Sequence, residues 1–161
     1  MEVLEKEPLH PWFISGLVMG EGCFSVSFTL HRRLNVGIET RPSFSVSLNR
    51  RDLALIKRVQ ACFQCGAIRY SKSDRTYKYE VRSIQDLTIK VLPHFKQYPL
   101  QGSKSEDFDK FSDICKEIRA NHHLSKKYLP KIIEVAYSMN PSGKRKHEKD
   151  DLLKILDELM V

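Results

Sequence analysis

Apolar and polar residues alternate in four short stretches of this chain, and a period of two is typical of strands that bury one face. In the first stretch, Phe24, Val26, Phe28 and Leu30 are predicted to point inward, and the polar residues between them outward. The predicted strands cover residues 23–30, 43–48, 67–71 and 77–82. They form two hairpins and therefore predict one curved antiparallel sheet.

Apolar residues at helical spacing surround and separate the hairpins. Pro11 suits a first helical turn, Gly66 a helix stop and Ser83 a helix cap. The predicted helices cover residues 8–20, 51–65, 84–92, 105–120 and 125–138, with a last helix that ends at residue 159. The predicted fold class is α+β, with an αββαββα order, helices packed on one face of a four-stranded sheet, and extra C-terminal helices. We expect a single domain over residues 1–161, with a core at about 9–139 and a basic turn plus a helix at 140–161.

Gly16 and Gly20 stand four residues apart in the first predicted helix, so they share one face of it. Glycine inside a helix is less favourable than alanine by roughly 1 kcal/mol. Two glycines at this spacing indicate that another backbone approaches the helix closely on that face.

The chain is basic, with a net charge of +7 and a pI near 9.3. Basic surfaces bind nucleic acids because they release the counterions that are condensed on phosphates. Short polar side chains share the outward face of the predicted sheet with basic ones, a composition that suits the edges of bases in a DNA groove. The basic residues of this face and its loops are Arg32, Arg33, Arg41, Arg69, Lys72, Arg75, Lys78 and Arg82.

Several function classes are disfavoured by what the sequence lacks. No stretch approaches the ~18 consecutive apolar residues of a membrane-spanning helix, and residues 1–7 are acidic and unlike a signal peptide. Cys62 and Cys65 lack the second pair that a structural zinc site uses, and four cysteines are too few for a disulfide scaffold. We therefore expect an intracellular protein, in a prokaryotic cytoplasm or an organelle, without a membrane partner or a small-molecule substrate.

Glu21 follows the first helix between Gly20 and Gly22, so its carboxylate can project beyond the helix end. A lone carboxylate at such a position is usually only solvated. Two such carboxylates, paired through a two-fold axis, would hold hard divalent cations near a phosphodiester. The residues by themselves leave both interpretations open.

The segment Phe13–Phe24 resembles the signature of the LAGLIDADG homing endonucleases, with Ile14–Gly22 over the nine positions of the family name. The resemblance continues through the αββαββα order to Tyr98–Phe108, where a Tyr-Pro-Leu segment precedes a lysine, and to Asn140–Lys146. It implies a site-specific DNA endonuclease of intron homing, which hydrolyses both strands of a long pseudo-palindromic target. Because single-motif members of the family form homodimers, it also implies a homodimer.

The resemblance assigns site residues by position. Glu21 falls on the metal-binding acid of the family, with the Gly20 carbonyl as a further ligand, and Lys104 falls on the active-site lysine. Asn49 lies where many members have a glutamine in the catalytic pocket, although Leu48 competes for this position. The implied cofactor is Mg²⁺ or Mn²⁺, with Ca²⁺ supporting DNA binding without cleavage.

Two surfaces are also implied by the resemblance. The first helices of two copies are expected to pack side by side through Trp12, Gly16, Met19 and Gly20. The outward strand and loop residues are expected to contact double-stranded DNA. These residues are Ser25, Ser27, Thr29, His31, Arg32, Arg33, Arg41, Ser43, Ser45, Arg69, Ser71, Lys72, Arg75, Lys78 and Glu80.

A second position, besides Asn49, departs from the family pattern. Met19 replaces the first acidic residue of the family name. A thioether is a poor ligand for magnesium, so the carboxylate role rests on Glu21 alone. This departure leaves an alternative function, that of a nucleic-acid-binding relative that does not cleave, such as an intron maturase or a regulator.

Overall fold

The computed structural model describes residues 7–141 and 143–159, and the expectation for the acidic N-terminus falls almost wholly outside them. The helices and strands follow the predicted order. They are α1 (Pro11–Glu21), β1 (Gly22–Leu30), β2 (Ile38–Asn49), a 3-10 turn (Arg50–Asp52), α2 (Leu53–Phe63), β3 (Ala67–Ser71), β4 (Thr76–Val81), α3 (Ile84–Asp86), a π turn (Leu87–Val91), α4 (Leu92–Gln97), α5 (Gly102–Arg119), a 3-10 turn (His122–Leu124), α6 (Leu129–Tyr137) and α7 (Lys149–Glu158).

The strands of the described residues form one four-stranded antiparallel sheet in the order β1-β2-β4-β3, which confirms the predicted fold class. The pairing of β4 places Glu80 opposite Ser45 of β2, and Lys78 opposite Arg69 of β3. Outward polar residues of adjacent strands are therefore direct neighbours across the sheet. No helix of the described ranges is long and apolar enough to cross a membrane.

Strand β2 begins at Ile38, five residues before its predicted start. The inward positions Ile38, Thr40 and Pro42 are buried, while Glu39 and Arg41 point outward, so the alternation of the strand continues without a break. The prediction of a polar connection here was wrong because threonine and proline occupy inward positions that apolar residues normally fill. At the end of β1, Leu30 is 53% exposed and is not the inward residue that was predicted.

Two predicted helix ends also differ. Helix α1 begins at Pro11 because His10 caps it, with its Nδ1 accepting a hydrogen bond from the Trp12 amide at 3.3 Å. Helix α2 ends in a left-handed residue at Gln64, so Gly66 is not its stop. Gly66 has a φ of +78°, and a Cβ there would lie 2.6 Å from the Glu80 carbonyl oxygen. The glycine is needed for this close approach to β4.

The chain divides into two compact units. The first unit comprises residues up to 24 and residues 43–105, and the second comprises residues 25–42 and those from 106 onward. In the first unit the Phe44 ring is fully buried and lies 5.3–5.6 Å from the rings of Phe24, Phe63 and Phe95. This aromatic core packs α2 and α4 against the strand residues of the unit. The single-domain organisation stays a prediction.

In the second unit, Arg145 holds the basic segment after α6 in place. Its guanidinium donates to the carbonyls of Val26 at 2.8 Å and Ala136 at 2.5 Å, and lies 4.2 Å from the centre of the Tyr137 ring. Arg145 is therefore a structural residue of this unit, unlike the exposed Lys144 and Lys146 beside it.

Candidate functional site

Glu21 is the last residue of α1, and its side chain is exposed. The chain enters β1 at the next residue, Gly22, whose amide donates to the Val18 carbonyl as the helix cap. A Cβ on Gly22 would lie 2.5 Å from Cγ1 of Val18 and 2.8 Å from its carbonyl oxygen. Glycine is thus required for the helix to pass directly into the strand, and this turn leaves the Glu21 carboxylate projecting at the end of α1.

Lys104 lies at this same turn. Its side chain reaches back from the first turn of α5, and its Nζ donates to the Gly22 carbonyl at 2.5 Å. The ammonium therefore lies beside the C-terminal end of α1, where the helix dipole favours a positive charge. The structure brings together the two charged residues that the sequence assigned to catalysis, although they are 83 positions apart in the chain.

Asn49 is placed differently. Its Oδ1 accepts a hydrogen bond from the Arg51 amide at 3.0 Å, which caps the 3-10 turn after β2. No hydrogen bond in the described parts of the chain joins Asn49 to Glu21 or Lys104. Leu48 is half-buried and pairs with Tyr77 of β4. The structure therefore does not add either candidate to the Glu21 turn.

One side of α1 is exposed and apolar. No atom lies within 4 Å of the position that a Cβ on Gly16 or Gly20 would occupy. Trp12, Phe13 and Met19 are 52%, 47% and 38% exposed. We call these five residues the open face of α1. Phe13 was not among the residues predicted for the packing of two copies. Its signal in the sequence is that α1 has apolar residues on all sides, a pattern typical of a helix that is also covered on its outer side.

In the second unit, outward polar residues are joined through Glu39. This carboxylate accepts hydrogen bonds from the Arg41 guanidinium at 2.8 Å and from the Thr29 hydroxyl at 3.3 Å. The Arg41 hydrogen bond is the main reason that the pKa of Glu39 lies below its usual value. Glu39 was not among the predicted site residues. It could have been found because it stands two residues before Arg41, on the same outward side of β2.

In the first unit, Glu80 plays the corresponding part. Ser43 donates to its carboxylate at 2.8 Å, and Lys78 and Arg82 lie 3.4 Å and 3.1 Å from it. Burial by itself would raise the pKa of Glu80, but these three partners outweigh burial and lower it. Ser43 and Ser45 are only 9% and 8% exposed, less than an outward strand position predicts. They are short side chains on a central strand, and longer neighbours cover them.

The other predicted DNA-contacting residues lie on strands or turns of their own unit. In the first unit Arg69, Lys72 and Arg75 are exposed, and Ser71 donates to Asp74 at 2.9 Å. In the second unit Ser25 and His31 are half-buried, and the exposed residues are Ser27, Arg32 and Arg33. The exposed cations are available to a polyanion on each unit.

The inner side of α1 contacts a histidine. His94 lies among the rings of Phe63, Phe95 and Tyr98, with its Nε2 3.3 Å from the Ser15 hydroxyl. Burial lowers the pKa of His94 below its ordinary 6.5, while a hydrogen bond with the Pro11 backbone acts in the opposite direction. The folded protein therefore holds this imidazole neutral at neutral pH.

We expect the stability of the protein to decrease as the pH falls below about 6.5, where an unfolded histidine takes up a proton. Because the folded state disfavours protonation of His94, acid shifts the equilibrium toward the unfolded chain. Above about pH 6.5 the imidazole is neutral in both states, so His94 adds no further pH dependence to the stability. His94→Gln should reduce the slope of thermal midpoint against pH between 7 and 5.5. An unchanged slope in the variant would show that His94 does not contribute. His123, whose pKa burial also lowers, should account for part of the remaining slope.

Comparisons with known proteins identify the family of this chain. The profile of the family described as LAGLIDADG endonuclease matches residues 14–115. The "Probable intron-encoded endonuclease 2" of Neurospora crassa is 32% identical over 141 residues, which are 86% of this chain and 30% of the relative. The chain thus spans less than a third of that relative.

Solved structures are similar over most of the chain. The homing endonuclease I-TnaI has a TM-score of 0.82 and 31% identity, over 95% of this chain and 99% of that one. I-SmaMI, bound to an uncleaved DNA target in the presence of calcium ions, has a TM-score of 0.83 and 27% identity, over 93% of this chain and 50% of that one. From the matched profile, the shared fold and the motif at the end of α1, we conclude that the chain belongs to the LAGLIDADG homing endonuclease family.

Proposed function

We propose that this protein is a homodimeric, magnesium-dependent endonuclease, which cuts both strands of a long pseudo-palindromic DNA target. The observation that carries the proposal is the turn at the end of α1. There the exposed Glu21 precedes Gly22, whose carbonyl accepts the hydrogen bond of the Lys104 ammonium. An acid and a cation at one exposed turn are the groups that phosphodiester hydrolysis requires.

The donor set of this turn fits magnesium. The Glu21 carboxylate and the Gly20 carbonyl are hard oxygen donors, the kind that Mg²⁺ prefers. Within the described residues no group of three or more His, Cys, Asp or Glu side chains is placed to hold a metal ion. A second Glu21, brought by another copy of the chain, would complete the site. Bound metal would stabilise negative charge on the attacking and leaving oxygens.

The protein's own cation has a separate role in this proposal. The ammonium of Lys104 has three donors, one of which bonds to the Gly22 carbonyl. The remaining donors can bind the scissile phosphate or the water that attacks it, and so offset charge that develops during the reaction. In this proposal Asn49, whose amide oxygen caps the 3-10 turn, contributes through its NH₂ group.

Symmetry supports the homodimer. The open face of α1 contains two glycines that nothing in the same chain requires. Packing of two such helices across a two-fold axis would require glycine at these positions, because the two backbones approach closely, and would bury the exposed Trp12 and Phe13. The match lengths are consistent with this arrangement, since the chain covers almost all of I-TnaI but half of I-SmaMI.

DNA binding is assigned to the outward polar residues of the strands in each unit. Arg41 and Lys78 are held by the neighbouring carboxylates of Glu39 and Glu80, which limits the number of conformations they adopt. Pre-positioned arginine and lysine side chains suit the acceptor edge of guanine in the major groove. Exposed cations on the turns would contact phosphates instead.

The test is a selection of DNA duplexes in calcium, followed by incubation of the selected sequences with magnesium. We expect two protein chains per duplex by light scattering, a target with inverted half-sites, and cleavage of both strands near its centre. Tight binding of a selected sequence without cleavage by the wild type would contradict the nuclease proposal. That result would favour the non-cleaving relative that the methionine at position 19 leaves open.

A further inference from the structure

Four contacts fasten one side of α1 to the segment Tyr98–Lys104, which we call the strap. At the start of the helix, the Trp12 ring lies 5.3 Å from the Tyr98 ring, and the Ser15 hydroxyl donates to the Tyr98 carbonyl at 2.8 Å. Further along, the Gln101 amide donates to the Met19 sulfur at 3.3 Å. Just past the end of the helix, Lys104 Nζ donates to the Gly22 carbonyl at 2.5 Å. The helix positions are spaced by three, four and three residues, so they share one side of α1.

The strap has little regular structure of its own before α5 begins. Tyr98 ends α4, Pro99 has no amide hydrogen, and Gly102 has a φ of +57°. Leu100 is 3% exposed and anchors the middle of the strap by its side chain. The Tyr98 carbonyl therefore accepts its hydrogen bond from one side chain of α1, and the Gln101 amide donates its hydrogen bond to another. The path of the strap depends on these two bonds.

We propose that Ser15 and Met19 are positioning residues, which set the place of Lys104 by holding the strap along α1. The inference rests on the catalytic role proposed for Lys104. Ser15 is 3% exposed and its hydroxyl has a fixed direction, since it donates to Tyr98 and lies 3.3 Å from His94. Met19, which takes the place of an acidic residue, accepts a backbone hydrogen bond instead of holding metal. Neither side chain needs to contact DNA or metal.

Ser15→Ala and Met19→Leu remove these two hydrogen bonds with little change in the volume of either side chain. Both variants should exchange the amide hydrogens of residues 98–105 faster than the wild type, with the sheet unchanged. Acylation of Lys104 by a water-soluble reagent, followed by mass spectrometry, should also be faster because the ammonium leaves the Gly22 carbonyl more often. Neither measurement involves DNA or metal.

In single-turnover assays with magnesium, each variant should cleave between about 10- and 100-fold more slowly, the size of effect that small misplacement of a catalytic group produces. The dissociation constant of Ser15→Ala for DNA in calcium should stay within about twofold of the wild type, because this variant leaves both the DNA-contacting strands and the open face of α1 untouched. In a Lys104→Met background, Ser15→Ala should have no further effect on cleavage. Met19→Gln restores an acceptor and should recover part of the rate.

Ser112→Ala is the matched control, since Ser112 is 5% exposed and lies on α5 in the second unit. The inference is overturned if exchange of residues 98–105 and acylation of Lys104 stay at the wild-type rate in both variants. It is also overturned if the control slows cleavage equally, or if Ser15→Ala keeps its full effect without Lys104. A wild type that cuts no DNA would defeat the proposed function, but the exchange and acylation results would still decide whether the strap holds Lys104.

Discussion

Glu21→Gln is expected to lower the rate of DNA cleavage by about 10³-fold or more while leaving DNA binding in calcium nearly unchanged. The substitution keeps the size and hydrogen-bonding capacity of the side chain and removes its negative charge. Because Glu21 is exposed and stands at the end of α1, its loss should not disturb the fold. The measurement is single-turnover cleavage of a selected duplex with magnesium, next to a binding titration in calcium.

A carboxylate elsewhere on the surface serves as the control. Glu158 is exposed at the end of α7, and Glu158→Gln should cleave at the wild-type rate. If Glu21→Gln retained wild-type cleavage, the end of α1 would not be the catalytic centre. If it lost binding and cleavage together, Glu21 would act in DNA binding or assembly and not in the chemical step.

Gly16→Leu is expected to convert the proposed dimer into a monomer and to abolish double-strand cleavage with it. Within one chain the new side chain meets nothing, because no atom lies within 4 Å of the Cβ position. Across a two-fold axis it would overlap the facing helix, and overpacking of this kind should raise the dissociation constant of the dimer about 100-fold. The monomer itself should gain about 0.5–1 kcal/mol in free energy of unfolding, because leucine is a better helix former than glycine.

Light scattering over a range of concentrations measures the first effect, and denaturant unfolding of the monomer measures the second. Ala54→Leu, at an exposed position of α2, is the matched control and should leave the mass of the particle unchanged. A Gly16→Leu protein that remains dimeric at micromolar concentration would place the subunit interface elsewhere. A monomer of lower stability would mean that Gly16 is needed inside its own chain.

The order of elements followed from the sequence because periodicity is strong where one face of an element is buried. Phe24, Val26 and Phe28 mark β1 clearly, and the structure buries all three. The first residues of β2 were missed because their inward row is Ile38, Thr40 and Pro42, in which polar and cyclic residues break the apolar pattern. A strand of this kind is recognised from its neighbours in the sheet, which a single sequence does not show.

The residues of the candidate site could be predicted where they belong to a motif. The contacts between residues far apart in the chain could not. The motif pointed to Glu21, and a segment resemblance pointed to Lys104, but the hydrogen bond from Lys104 to Gly22 connects distant parts of the chain. The burial of Ser43 under Glu80 likewise depends on the register between β2 and β4. Pairings across such distances are set by tertiary structure and leave no period in the sequence.

Arg145 has a consequence for the behaviour of the protein in concentrated solution. Strand β1 is an edge of the sheet, and an edge strand offers unpaired carbonyls on which a foreign chain can add a further strand and begin to aggregate. The guanidinium of Arg145 occupies the Val26 carbonyl in the middle of β1, so that position is closed to β-augmentation.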